Sequence, residues 1–204
     1  MIQTGVYKGY QLHFKAGRND YCGIFKSMLS LNARLVETYK CSRHTRVSLI
    51  EIDKKLYVIK IYSPQRKRVE KFIKSLFRGS YNENLIRKID SAHDNGCMIP
   101  NDFFLLAEKK ILSFPYLSIM LLEFIPGDNA SQPNNMPTTL SQKIISAVTT
   151  MHSQGIISGD PHKGNFIITA KGDIRAIDLS GKACNAKNIA KDFTLMKKIY
   201  GLHE

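Results

Sequence analysis

The sequence predicts an α+β fold with two lobes, a β-sheet-rich first half and a reduced, mainly helical second half. Three observations predict it. Residues 35–62 hold three short runs rich in β-branched and aromatic residues. The stretch from Pro126 to Pro137 (PGDNASQPNNMP) is polar and rich in turn formers, so it reads as a linker. Beyond it, apolar residues recur at helical spacing over 139–153 and again over about 186–200, with only two short strands between. The expected organisation is one domain over 1–204. A first lobe covers 1–125 and carries an extra N-terminal segment; a minimal second lobe covers 126–204.

The elements follow in order. Residues 5–15 alternate weakly, as a strand or hairpin does. Residues 21–31 place Ile24, Phe25, Met28 and Leu29 on one helical face. Leu35–Tyr39, Val47–Ile52 and Leu56–Tyr62 are the three strands, with a turn at Asp53-Lys54-Lys55. Pro64 ends the run. Residues 65–78 (QRKRVEKFIKSLFR) predict an amphipathic helix, with Val69, Phe72, Ile73, Leu76 and Phe77 on one side and bases over much of the rest. A second helix is expected over 82–94, closed by Gly96, then strands near 102–107 and 117–124. After the linker, Leu140, Ile144, Ala147, Val148 and Met151 line one face of a helix that Gly155 stops. Strands at Phe166–Thr169 and Ile174–Ile177 flank a Lys171-Gly172-Asp173 turn, and a last helix closes the chain.

Composition narrows the function classes. Thirty Lys and Arg against seventeen Asp and Glu leave +13, which suggests an anionic partner. No RNA- or DNA-binding motif accompanies the charge, so no nucleic acid is expected. Cys22, Cys41, Cys97 and Cys184 show no CxxC spacing and read as reduced thiols of a cytoplasmic protein. The first residues lack the apolar core of a signal peptide. The apolar stretch Ile119 to Ile125 is interrupted by Glu123 and too short to cross a bilayer.

The chemistry concentrates in Ser158-Gly159-Asp160-Pro161-His162-Lys163-Gly164-Asn165-Phe166, between a helix and a strand. Thirteen residues after Asn165 comes Asp178, in Ile177-Asp178-Leu179-Ser180-Gly181. Phosphoryl transfer needs a carboxylate near the acceptor hydroxyl and oxygen ligands for Mg²⁺ on the phosphates. Asp160 suits the first role; Asn165 and Asp178 suit the second. The D-x4-N and D-x-x-G pieces, in this order and at strand–loop junctions, resemble the catalytic and metal-binding loops of the protein-kinase superfamily. The competing reading is that Asp160 and Asn165 merely shape a turn.

Two further pieces fit that pattern. Lys60 lies inside an apolar strand (Val58-Ile59-Lys60-Ile61), where an ammonium is costly unless paired. The kinase-like pattern gives it the ATP phosphates, with a helix glutamate to hold it. Glu83, ahead of Leu85, Ile86 and Ile89, is preferred over Glu70 for that partner. The bland alternative is an edge-strand lysine pointing to water. Met120 to Gly127 (MLLEFIPG) looks like a kinase hinge, whose backbone around Glu123 to Ile125 would bind adenine. An ordinary core strand ending at a turn reads the same way. One expected part is missing: the loop Lys40 to Arg46 (KCSRHTR) has no glycine to let backbone N–H groups approach phosphates. Ser42, Thr45 and the basic side chains are candidate substitutes for it.

The block from Met151 to Cys184 (MHSQGIISGDPHKGNFIITAKGDIRAIDLSGKAC) resembles the lipopolysaccharide core heptose kinases, most of all the heptose(II) kinases of the inner core. IKIYSPQRKRVEKFIKSLFRG and NDFFLLAEKK extend the resemblance over most of the chain. It implies a protein-kinase-like two-lobed fold and ATP- and Mg²⁺-dependent phosphorylation of a heptose on the lipopolysaccharide core oligosaccharide. It also implies work at the cytoplasmic face of the inner membrane. Position by position, Asp160 is then the catalytic base, Asn165 and Asp178 bind Mg²⁺, and Lys60 contacts phosphate. Ser158 stands where the wider superfamily commonly has His. The basic helix at 65–78 could rest on an anionic membrane surface. Competing functions are another minimal kinase, RIO-like or aminoglycoside-phosphotransferase-like, and a pseudokinase acting as a binding module.

Overall fold

The structure is a computed structural model, and it describes residues 1–17, 20–30, 32–63, 81–111, 114–131 and 138–201. The helix expected at 65–78, and with it Glu70, lies outside the described residues. The chain divides into two compact units: Met1–Ile86 with Asp102–Phe124, and Arg87–Asn101 with Ile125–Glu204.

The first unit is built on a seven-stranded antiparallel sheet. Its strands are β1 (Ile2–Tyr7), β2 (Tyr10–Lys15), β3 (Arg34–Cys41), β4 (Thr45–Ile52), β5 (Lys55–Tyr62), β6 (Phe103–Ile111) and β7 (Phe114–Glu123), in the order β1-β2-β6-β7-β5-β4-β3. Two hairpins close through two-residue turns in the left-handed region, at Lys8-Gly9 and at Asp53-Lys54, which matches the twist of the strands they join. Side chains alternate across the strands, so one face carries Leu12, Tyr57, Leu105, Ala107, Ile119 and Leu121. Helix α1 (Tyr21–Leu29) covers that face with Tyr21 and the fully buried Phe25, whose burial contributes on the order of 2–3 kcal/mol. The Asp20 carboxylate caps α1 by accepting from the Gly23 N–H at 2.8 Å.

Strands β6 and β7 depart from the expectation. They run to Ile111 and from Phe114, past the expected limits of 107 and 117. The charged run Glu108-Lys109-Lys110 lies beyond the expected end of the strand, yet Glu108 is fully buried in the sheet with its own partners. Strand β5 lies between β4 and β7, which removes the edge-strand reading of Lys60.

Helix α2 (Tyr81–Asp94) begins in the first unit and ends in the second. The second unit contains α3 (Thr138–Ser153), α4 (Ala186–Tyr200) and a small sheet of β8 (Asp128–Asn129), β9 (Phe166–Ile168) and β10 (Ile174–Ala176). Ile144, Ala147, Val148 and Met151 form the buried stripe of α3, as the periodicity predicts. The stretch read as a linker contains β8, which pairs with β9. Residues 99–101 hydrogen-bond with Ala176 of β10, so this segment belongs with the helical unit. All four cysteines are free. The α+β, protein-kinase-like class is the observed one: a large antiparallel sheet in one unit, helices around a small sheet in the other.

Candidate active site

The chain leaves α3 through a buried stretch, Ile156 to Ser158, and then emerges at Asp160, whose side chain is 68% exposed. An exposed carboxylate keeps a defined position only where the backbone beneath it is fixed. That backbone is held from both sides. The N–H groups of Ser158 and Gly159 donate to Oδ2 and Oδ1 of Asp192 at 2.9 and 3.0 Å. His152 Nε2 donates to the same Oδ2 at 3.0 Å, so this carboxylate, 1% exposed, accepts three hydrogen bonds. Beyond Asp160, the Tyr200 hydroxyl donates to the Pro161 carbonyl at 2.9 Å. Burial raises the Tyr200 pKa above its ordinary value, keeping the hydroxyl protonated as a donor.

The Asp160 carbonyl accepts the His162 N–H and Asn165 Nδ2, both at 2.8 Å. Asn165 closes a single 3₁₀ turn, Lys163–Asn165, before β9. With its nitrogen spent on Asp160, the amide has its oxygen, the hard donor, turned away from that bond. The Asn165 carbonyl accepts the Ile177 N–H at 2.9 Å, which ties this loop to the one carrying Asp178. Asp178 is exposed and left-handed (φ 55°), a conformation Asp tolerates better than most residues, and it turns the chain out of β10. The donor set, one amide oxygen and one exposed carboxylate on tied loops, fits the oxygen preference of Mg²⁺. Gly159 is left-handed at φ 80°, and a Cβ there would come 2.6 Å from Ser180 Cβ. Only glycine lets these two loops approach so closely.

In the sheet unit, Lys60 pairs in register with Met120 on β7 and Val47 on β4. Glu83 sits in the first turn of α2, where a carboxylate suits the helix dipole. Its Oε2 lies 3.8 Å from His13 Nε2 and 3.9 Å from Lys110 Nζ. At the end of β7, the Glu123 N–H donates to the Asp102 carbonyl and its Oε2 accepts the Asp102 N–H, both at 2.9 Å. Ile125 is buried, in the second unit. The β3–β4 turn uses Ser42 internally: its hydroxyl donates to the Thr45 carbonyl and accepts the Thr45 N–H, both at 3.1 Å. Ser42 thus shapes the glycine-free loop.

The whole chain, residues 1–204, matches the family described as "Lipopolysaccharide core biosynthesis protein (WaaY)". The chain belongs to the WaaY family. Two relatives agree with that membership. One, the lipopolysaccharide core heptose(II) kinase WaaY of Escherichia coli, is 37% identical over 202 residues, covering 99% of this chain and 87% of the relative. The protein of the same name from Escherichia coli strain K12 is 36% identical with the same coverage. The resemblance read from Met151 to Cys184 is borne out over the full length.

Sequence reasoning about this WaaY-family chain missed Asp192, His152 and the sheet cluster of His13, Glu108 and Lys110. Asp192 had a signal. It falls on the inward stripe of α4 with Ile189, Phe193 and Met196, and an acid on such a stripe needs donors to justify its burial.

Proposed function

We propose that this protein transfers the γ-phosphoryl group of ATP to a hydroxyl of heptose II in the lipopolysaccharide inner core. The observation that carries the reading is the open Asp160 carboxylate on a loop pinned by Asp192, Asn165 and Tyr200. Phosphoryl transfer is mostly positioning and charge stabilisation, and such a fixed carboxylate supplies the positioning.

The acceptor hydroxyl hydrogen-bonds to Asp160. Its oxygen bonds to the γ-phosphorus while the bond to the β,γ-bridging oxygen breaks, and ADP leaves with that electron pair. The hydroxyl proton passes to Asp160. Lys60 holds ATP phosphates, Glu83 holds Lys60, and the backbone at Glu123 and Ile125 receives adenine. Asn165 and Asp178 would hold Mg²⁺, which neutralises phosphate charge when bound. The family names of the relatives support the heptose acceptor. The enzyme would then work where the core is assembled, at the cytoplasmic face of the inner membrane. No helix among the described residues is long and apolar enough to cross a membrane.

The test is phosphate transfer from ATP with Mg²⁺ to purified core lipopolysaccharide. Wild type should label heptose II, and Asp160→Ala should lower kcat by about 100-fold or more. Labelling of a protein or another small molecule, but not of lipopolysaccharide, overturns the acceptor. ATP binding without transfer to any acceptor makes the chain a binding module.

A further inference from the structure

One face of the sheet is covered by α1; the other carries an unexpected polar cluster. Residues paired across antiparallel strands share a face. The registers His13↔Leu106, Leu106↔Met120 and Met120↔Lys60 therefore form a single row across β2, β6, β7 and β5. Glu108, paired with Ser118, lies in the next row on the same face. Lys60, His13 and Glu108 thus share one side of the sheet.

On that side the charges are buried and chained. Glu108 Oε1 accepts from Asn82 Nδ2 and Ser118 Oγ, both at 3.0 Å. Its Oε2 lies 3.2 Å from Lys110 Nζ, and the Glu108 and Lys110 side chains are 0% and 10% exposed. Lys110 also approaches Glu83 Oε2, and His13, 9% exposed, approaches the same oxygen. Two consecutive residues of the first turn of α2, Asn82 and Glu83, are thereby tied into the cluster. A dock made only for stability would be as good with apolar side chains, because buried ion pairs recover little of their desolvation cost. What a charged dock adds is a defined direction for the Glu83 carboxylate.

We propose that His13, Glu108 and Lys110 are positioning residues that fix Glu83 for its work beside Lys60. This rests on the assignment of Glu83 as the partner of Lys60. It also gives the N-terminal hairpin a purpose, since β2 delivers His13 to the cluster. Glu108 fixes Lys110, and Lys110 and His13 together hold Glu83.

Three variants, with thermal melts and ATP steady-state kinetics on the full chain, decide it. Glu83→Gln should lower kcat/KM for ATP on the order of tenfold to a hundredfold, the scale of a misplaced catalytic contact. The double variant Glu108→Gln with Lys110→Met removes the two buried charges together, while the Gln Oε1 still accepts from Asn82 and Ser118, so it should melt close to wild type. It should still lose about tenfold in kcat/KM for ATP. Lys110→Arg, which keeps the cation, should retain most of the activity. A normally melting double variant with wild-type kinetics overturns the proposal. If the double variant does not fold, His13→Asn decides: wild-type ATP kinetics overturn the proposal, and a loss supports it. Wild-type kinetics in Glu83→Gln instead overturn the assignment of Glu83 itself.

Discussion

A single buried carboxylate, Asp192, does most to shape the loop that carries Asp160. It accepts three donors, two of them backbone N–H groups immediately before Asp160. Removing an acceptor from buried donors leaves each one unsatisfied, at about 1–3 kcal/mol apiece. Asp192→Asn keeps the volume but presents an amide nitrogen to donors. It should lower the unfolding free energy by about 2–4 kcal/mol in denaturant melts, on the same reasoning. It should also lower kcat on the order of tenfold with KM for ATP little changed, because only the Asp160 backbone has moved. Equal loss in both parameters would mean that Asp192 supports the unit as a whole. At this scale the placement of Asp160, Asn165 and Asp178 at strand–loop junctions was legible from the turn-forming residues around them. His13 and Lys110 were not: their meaning comes from strand pairings 91 or more residues apart in sequence for the hairpin and β6, and no local pattern records them.

Among the elements, α4 acts as a clamp on the loop. Asp192, Met196 and Tyr200 are four residues apart and so lie on one stripe. Asp192 grips the backbone before Asp160 and Tyr200 grips the carbonyl after it. Tyr200→Phe deletes one hydrogen bond and should cost about 1 kcal/mol. It should also change the alkaline limb of stability. The folded-state pKa of Tyr200 lies above the ordinary 10.0. From pH 10 upward the unfolded chain releases a proton that the fold retains, so stability falls as pH rises. Below pH 10 this contribution is constant. Urea midpoints for Tyr200→Phe should therefore decline less steeply above pH 10 than those of wild type; parallel declines would refute the assignment. Element existence was legible from periodicity: α1, α3, α4 and β3 to β5 follow it closely. Strand length in β6 was not, because the partners that make Glu108 tolerable in a strand, Asn82 and Ser118, come from other elements.

For the whole molecule, the division into units shows a limit of one-dimensional reading. The helical repeat of α2 is continuous, yet the helix starts in the sheet unit and ends in the other. The hydrogen bonds of residues 99–101 to Ala176 make that assignment, and they are long-range. Charge, in contrast, is a property of the entire chain and is fully legible: +13. Under the proposed reaction both ATP and a phosphate-bearing lipopolysaccharide are anions, so the excess positive charge should act mainly on encounter. Raising salt from about 0.1 to about 1 M shortens the screening length from about 10 Å to about 3 Å. KM for core lipopolysaccharide should then rise several-fold while kcat at saturation holds, because contacts made at short range survive screening. A neutral osmolyte at matched osmolality should leave KM unchanged. Sedimentation with anionic vesicles over the same salt series separates the two anionic surfaces. If binding to vesicles and KM lose strength together, the membrane is part of the encounter. If KM responds and vesicles are not bound even at low salt, the charge serves the phosphorylated substrates alone.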